Sequence, residues 1–539
     1  MILNIQQYLS NIGLILVTIL AFIVIIGIVV LIHELGHFIF AKKANILCHE
    51  FSIGMGPVLF QKKKGETIYS IRAIPIGGYV SMADGSYTDV LLNGVEELGL
   101  NLENSFVKEI VLDPSLECDV RGKLVSYDLY GENSDFFVEL EVDGIKQYYN
   151  VLKTAEFVQK NNKRIQLSTY ERSFESKTLL QRFLTIFAGP VMNFILALLL
   201  YIILGWAVGV ADYSSSHIGS VSNGYPASGI LQAGDEIKSV DGKEVANWQE
   251  FSVIMDEYKL EYKQEIEITF IRDNKILTET LYPSFIFNNV GVSSLGAPVD
   301  DANVLGVQLG ITAGSVLDLG MSKDDILVQI TVDNVNHDIY SWEDIASILS
   351  NIDIENVTFT FYKKGEDKKS KIIVESYGDI LLNSQQVTKY QYLIGISPET
   401  KFSFIGGIKN GFTSFTNMFT SIGKTIGLLF GIGDGGIRQV GIGDLAGPIG
   451  IFDMIKSYVQ AGLLTLISFT AMLSVNLGLL NLLPIPALDG GRIIFLIYEL
   501  ITGKRVNKKV EETLTNIMFI LLMILFIYVA FNDTLRMFG

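Results

Sequence analysis

The chain has 539 residues, 49% of them hydrophobic and 18% charged, with a mean hydropathy of +0.37. That is too apolar for a soluble protein of this size, so part of it lies in lipid. Yet 58 acidic against 41 basic residues leave a net charge of -17, which requires sizeable aqueous segments and argues against nucleic acid as a partner. With Cys48 and Cys118 as the two cysteines, a disulfide-built scaffold is excluded.

Four stretches are long enough to cross a bilayer, which takes roughly 20 apolar residues. The first starts near Ile12, and no charged residue precedes Glu34. Without a basic flank, and with too long an apolar run for a cleaved leader, it is expected to remain as an anchor. The second runs from Phe183 to Ala211 and contains Pro190, the third lies within Ser457 to Leu488, and the fourth runs from about Leu514 to Phe531. An even number of crossings puts both termini on one side. Lys42, Lys43 and Lys62 to Lys64 follow the first span, Lys177 and Arg182 precede the second, and Lys504, Arg505, Lys508 and Lys509 separate the third from the fourth. Basic loops stay cytoplasmic, so the termini and the segment from about Asp212 to Lys456 are expected outside. Both cysteines then face the reducing compartment as thiols.

At the inner end of the first span stands His33-Glu34-Leu35-Gly36-His37. Positions i and i+4 share a helix face, so both imidazoles can reach one metal, with Glu34 beside them to take a proton from an attacking water. A chance pattern on a wet helix would be harmless. Here a glutamate and two histidines sit inside the lysine boundary, which costs several kcal/mol unless they are paired or ligate something. A catalytic zinc normally takes three protein ligands. His49, His217 and His337 read as surface or structural histidines, which leaves an acidic ligand at the cytoplasmic end of another span.

Between the first two spans, about Asp84 to Ser176, alternating runs such as Phe136 to Val142 predict a small strand-rich domain. The outer segment carries a weak repeat: Gly234-Asp235-Glu236-Ile237 and Trp248 are loosely echoed by Asp324-Asp325-Ile326-Leu327 and Trp342. The first copy, with Tyr225-Pro226-Ala227-Ser228, looks like a PDZ domain, a fold that captures extended peptides. The second is PDZ-like or else an unrelated α/β insert. From Phe402 to Phe430 a glycine-punctuated apolar segment suits a helix lying at the outer membrane surface. Asn481-Leu482-Leu483-Pro484-Ile485-Pro486-Ala487-Leu488-Asp489-Gly490-Gly491 closes the third span. Its prolines cannot continue a helix, so it is either an unwound, cavity-lining loop offering Asp489 to the metal, or a terminator with Asp489 capping the next helix.

Together, the two motifs resemble the HExxH and NxxPxPxLDGG signatures of the site-2 protease family, intramembrane zinc metallopeptidases, in the bacterial branch with an outward PDZ insert. The likeness extends to Phe51–Phe60, Ile74 to Tyr79, Phe174–Ala197 with Ala188-Gly189-Pro190-Val191-Met192-Asn193, and Leu445 to Gly450. It implies Zn2+ held by His33, His37 and Asp489, with Glu34 as general base. It also implies a substrate side comprising Asn481, which holds substrate backbone or the oxyanion, the auxiliary Asn193, Pro484 of the unwound loop, and Gly77 and Gly78. Those two glycines, ordinary tight turns when read alone, would belong to a β-hairpin that dips into the membrane and offers a strand edge to an unwound substrate.

The expected fold is a polytopic α-helical membrane protein of four transmembrane helices with a membrane-associated β-hairpin, a cytoplasmic strand-rich insert and extracytoplasmic PDZ (α+β) domains. The boundaries are 1–41 for helix 1, 42–83 for the hairpin, 84–176 for the insert and 177–211 for helix 2. Then come 212–285 for the PDZ domain, 286–400 for the PDZ-like copy, 401–456 for interfacial helices, 457–491 for helix 3, and 492–539 for a cytoplasmic loop and helix 4. The resemblance implies cleavage of transmembrane protein substrates, such as anti-sigma factors in regulated intramembrane proteolysis, or of signal-peptide remnants, near the cytoplasmic face of the cell membrane. An upstream site-1 type protease would act first on the same substrate, and the PDZ region would filter what enters. The alternatives are a non-catalytic membrane scaffold with structural zinc and PDZ-mediated partner binding, and a zinc transporter. The second and fourth spans carry no ligand pairs for the latter.

Overall fold

A computed structural model describes the chain except residues 1, 85–87, 89–90, 132–135, 160–162, 224, 261–262, 264, 288–291, 294–306, 309–324, 333, 341, 350–356, 364–368, 375–389, 430–446 and 539. Leu445, Ala446 and Asp324, named above, lie outside the described residues. The helices used below are α1 (Ile2–Lys43), α2 (Leu179–Val208), α3 (Trp248–Leu260), α4 (Trp342–Leu349), α5 (Phe404–Leu429), α6 (Pro448–Ala461), α7 (Leu463–Asn481), α8 (Asp489–Thr502) and α9 (Lys508–Phe538). Four stretches, 13–43, 179–208, 463–481 and 508–535, are long and apolar enough to cross a membrane. The chain divides into two compact units, the first built mainly of residues 1–204 and 447–539 and the second mainly of 205–410.

In the first unit α1 is uninterrupted because nothing before Lys42 breaks it, and Asn45, in the left-handed region at φ 55°, turns the chain out of it. Two strands come next, β1 (Cys48–Lys64) and β2 (Thr67–Met82). Gly54 (φ +83°), Gly56 (φ +80°) and Gly77 (φ +84°) bend them, so that Glu50 to Ile53 face both Gly78–Ser81 and Ile68–Ile71. Arg72 pins the bend, donating to Glu50 Oε1 (2.7 Å) and to the Gly56 carbonyl (2.8 Å). Phe51 packs edge-on against Phe38 of α1 at 5.1 Å. At the base of the sheet Glu66 accepts from Arg172 and Lys42. The Arg172 guanidinium, with Lys42 beside it, holds the Glu66 carboxyl down at about 2.

The insert begins and ends at adjacent points, since the Phe174 N–H donates to the Ala83 carbonyl at 3.0 Å. Its strands are β3 (Glu97–Glu103), β4 (Phe106–Val111), β5 (Val120–Asp128), β6 (Phe137–Val142), β7 (Ile145–Gln159) and β8 (Lys163–Gln166). Their order is β4-β3-β5-β6-β7-β8, and β4 also pairs with β7, so five strands close on themselves and remove their free edges. Leu98, Leu100, Ile110, Leu140 and Phe157 fill the interior. His49 is buried and bonds Ser168 at 2.8 Å.

The third span lies within Ser457 to Leu488, as expected, but the boundary drawn for it after residue 456 does not fall between elements. The chain breaks instead at Gly462, whose φ of +107° no side-chain-bearing residue adopts easily, so α6 crosses that boundary and the span is the 19-residue α7. The segment expected as a helix at the outer surface, α5, packs against α2. Gly411 of α5 lies against the backbone of Ile202, and Phe419 meets the Phe194 ring at 5.4 Å. Eight residues on each helix separate these contacts in opposite directions, so α5 runs antiparallel along α2 there, made possible by the missing Cβ at Gly411.

In the second unit, strands 236–240 and 243–244, helix α3 and strands 266–272 and 275–281 are followed by the same succession: 326–332, 335–338, α4, 357–362 and 369–374. Strand order is the same in both sheets. Buried Asp235, in the Gly-Asp turn, takes two bonds from Arg272 (2.8 and 2.6 Å). The boundary expected at residue 285 does not separate the copies cleanly. Strand 390–393 pairs with 284–287, strand 396–398 with 218–221, and 400–401 with 210–211, because Tyr392 and Ile394 complete the apolar core around Trp248 and Phe270.

Candidate metal centre

α1 carries His33 and His37 one turn apart, and the loop 482–488 delivers Asp489 to them. His33 Nε2 lies 3.2 Å from His37 Nε2, and Asp489 Oδ2 lies 3.2 and 3.3 Å from the two. Among the described residues this is the one group of three or more His, Cys, Asp or Glu side chains disposed to hold a metal ion. A tetrahedron with corners about 2.0 Å from its centre has edges of about 3.3 Å, so the spacing is that of zinc ligands. The chemistry of the donors fits as well. His37 Nδ1 bonds the Thr185 carbonyl at 2.8 Å; since a carbonyl only accepts, the ring proton sits on Nδ1 and Nε2 keeps its lone pair. Asp489 Oδ2 is buried without a hydrogen-bond donor. The His37 lone pair and a carboxylate oxygen facing one another are at rest around a cation and repel without one.

Asp489 reaches this position because the two glycines after it let the loop fold tightly onto α8. A Cβ on Gly490 would overlap the backbone of Leu482 and Leu483, and one on Gly491 that of Ile485 and Pro486. The capping alternative is not what the structure has: Leu488 is the N-cap, and Asp489, in the first turn, points at the histidines. At the other end of α8, Glu499 receives two bonds from Arg182 of α2 (2.9 and 2.6 Å), with Arg182 only 6% exposed. This pair fixes α8 against α2.

The other expected site residues are spread around this triangle. Asn481 ends α7 with Nδ2 3.5 Å from His33 Nε2, and Asn193 of α2 lies 3.3 Å from His33 Nδ1. Pro484 is exposed in the loop, and its ring has no polar group to offer the ligands. Gly78 lies where a Cβ would come 3.0 Å from both Glu34 Cγ and Val30 Cγ1, so β2 can press against α1 beside Glu34; Gly77 faces Met55 instead. His49, His217 and His337 are elsewhere, His217 in a strand bridge with Glu236 and His337 on an exposed strand.

Three supports of the site escape sequence reasoning. The Thr185 carbonyl has no side-chain signature. Arg182 reads in the sequence only as a marker of topology. Gly189 stands inside a motif with no role attached, yet a Cβ there would strike both imidazoles, just as one on Gly36 would strike the Ala188 carbonyl.

Residues 21–525 match the description of peptidase family M50. A Staphylococcus aureus (strain COL) protein carrying the words zinc metalloprotease in its name is 32% identical over 532 residues, covering 97% of this chain and 99% of its own length. The zinc metalloprotease RasP of Shouchella clausii is 32% identical over 525 residues, covering 97% of this chain and 100% of its own. The regulator of sigma-W protease RasP of Bacillus subtilis (strain 168) is 29% identical over 530 residues, with 97% and 99% covered. A solved PDZ domain from Listeria monocytogenes is similar over 18% of this chain and 90% of its own at 22% identity, with a TM-score of 0.13, too low to speak to the fold.

Proposed function

Given that the chain belongs to peptidase family M50 and is a membrane-resident zinc metalloprotease of the site-2 protease type, we propose that it hydrolyses a peptide bond in the transmembrane segment of a single-span membrane protein, or in a signal-peptide remnant, near the cytoplasmic face. His33, His37 and Asp489 would hold the zinc and Glu34 would be the general base. The observation that carries this is the triangle of ligand atoms 3.2 to 3.3 Å apart, with a glutamate beside His33 that is the one charged residue of its helix before Lys42.

Bound zinc supplies a Lewis acid to the scissile carbonyl and lowers the pKa of water. Glu34 then holds the proton taken from the attacking water and passes it to the leaving amine. Asn481 directs its amide N–H toward the developing oxyanion. A substrate helix hides its peptide groups in its own bonds, and unwinding it in lipid costs several kcal/mol per unpaired group; the edge of β2 beside Glu34 offers replacements. Met55, Val58, Leu59, Phe60, Ile71 and Ile74, exposed around the bend of that sheet, suit contact with lipid.

The basic loops favour an arrangement with termini and second unit outside. Its repeated sheets act, in this reading, as PDZ domains that admit substrates already trimmed by an upstream protease. The name of the Bacillus subtilis relative ties that protein to sigma-W, which makes membrane-anchored regulators of transcription a fitting substrate class here. The experiment is Glu34→Gln in the full chain, in detergent micelles, with a transmembrane peptide substrate. Cleavage should vanish while zinc content stays at one per chain. Cleavage that persists with zinc bound would instead mean that Glu34 is no base, and a catalytically silent variant without zinc would mean that Glu34 belongs to the ligand set.

A further inference from the structure

Asn193 is completely buried, and its backbone carbonyl accepts a bond from Ser474 of α7 at 2.8 Å. Its side-chain Nδ2 stands 3.3 Å from His33 Nδ1, while its Oδ1 is buried with no hydrogen-bond partner. An amide oxygen shut away from every donor, next to an amide nitrogen on an imidazole, marks an amide whose two ends are exchanged; which end faces where is settled by the bonds they can make. With Nδ2 donating to Nδ1, the proton of a neutral His33 would have to sit on Nε2, the atom that faces His37 and Asp489, and His33 could ligate nothing there. With the amide turned over, Oδ1 accepts the Nδ1 proton and Nε2 is free.

We propose that Asn193 is the positioning residue of His33: its Oδ1 holds the ring proton on Nδ1, as the Thr185 carbonyl does for His37. This rests on the ligand assignment proposed above. One helix then sets both tautomers, from positions on either side of Pro190. Partners of metal-bound imidazoles of this kind are worth roughly 10–100-fold in metal affinity.

The test uses the full-length protein in detergent and measures zinc affinity by chelator competition, together with the visible absorption of the cobalt-loaded site. Asn193→Asp keeps an acceptor and removes the donor; Asn193→Leu keeps the volume and removes both. Asn193→Asp should bind zinc at least as tightly as wild type with an unchanged cobalt spectrum, and Asn193→Leu should bind it about 10–100-fold more weakly. Should Asn193→Leu not fold, Asn193→Ala carries the same expectation. Wild-type affinity in the apolar variant would overturn the proposal, as would an equal loss in Asn193→Asp, which would show that the donor end is what matters. A His33→Ala chain that binds zinc as wild type does would overturn the ligand assignment itself, and this proposal with it.

Discussion

Replacing Gly189 by alanine separates what helix formation wants from what the metal centre tolerates. In an ordinary helix interior the exchange stabilises by about 1 kcal/mol. At this position the new Cβ would lie 2.6 Å from His37 Cε1 and 2.9 Å from His33 Cε1, and closer still to His37 Nε2, where ordinary contact begins at 3.4 Å. The rings must therefore withdraw by at least 0.5 to 0.8 Å, whereas metal–ligand distances tolerate about 0.2 Å. Either α2 backs away from α1, giving up the close approach of Gly36 to the Ala188 carbonyl, or a histidine leaves the zinc. The expected result is a zinc affinity lower by at least about 100-fold, beyond the upper end of an outer-contact loss, with proportionate loss of cleavage and an apo-protein melting temperature unchanged or raised. Chelator competition, peptide cleavage and thermal unfolding of the same detergent-solubilised preparation read all three. Zinc affinity and cleavage rate both within about threefold of wild type would refute the steric argument.

The Arg182–Glu499 pair should be costly to break on one side and cheap to remove entirely. Arg182→Met leaves a partly buried carboxylate with only Arg505, at 3.3 Å, to answer it, and should destabilise by about 3 kcal/mol, while Arg182→Met with Glu499→Met recovers most of that; denaturant unfolding of the three chains gives the order. His49 should make the chain acid-sensitive. Burial lowers its pKa from 6.5 to about 4, so the unfolded chain takes up a proton that the folded chain refuses. This contribution is intact above about pH 6.5, declines as pH falls, and levels off near pH 4 at a loss of about 3 kcal/mol. His49→Gln should flatten stability across that window; an unchanged slope would place the sensitivity elsewhere.

What could be read from the sequence was what depends on local period. His33 and His37 share a face because an uninterrupted run of apolar residues leaves a helix no choice of register. The break after α7 was legible because Pro484 and Pro486 forbid a helix, but the choice between a loop offering Asp489 and a capped terminator was not, since it turns on the backbone contacts that Gly490 and Gly491 allow. The start of the third span was harder to place, since Gly462 sits at the border of an equally apolar run, and a left-handed glycine leaves no mark in hydropathy. The course of α5 depends on which neighbour its glycine meets. The partners that hold the histidines, a carbonyl at Thr185 and an absent Cβ at Gly189, consist of backbone and empty space. Sequence patterns record side chains, so these supports become visible only once α1 and α2 are side by side.

The return of strand 396–398 to strand 218–221 has a bearing on how the protein is made. At a synthesis rate of about 5–20 residues per second, roughly 10 to 35 seconds pass between the emergence of the earlier strand and that of the segment that covers it. During that interval the nascent chain holds an open strand border, the kind of surface that recruits wrong neighbours. A chaperone that shelters the half-finished second unit until residue 398 arrives would thus govern the yield of the whole enzyme, although it never touches the metal.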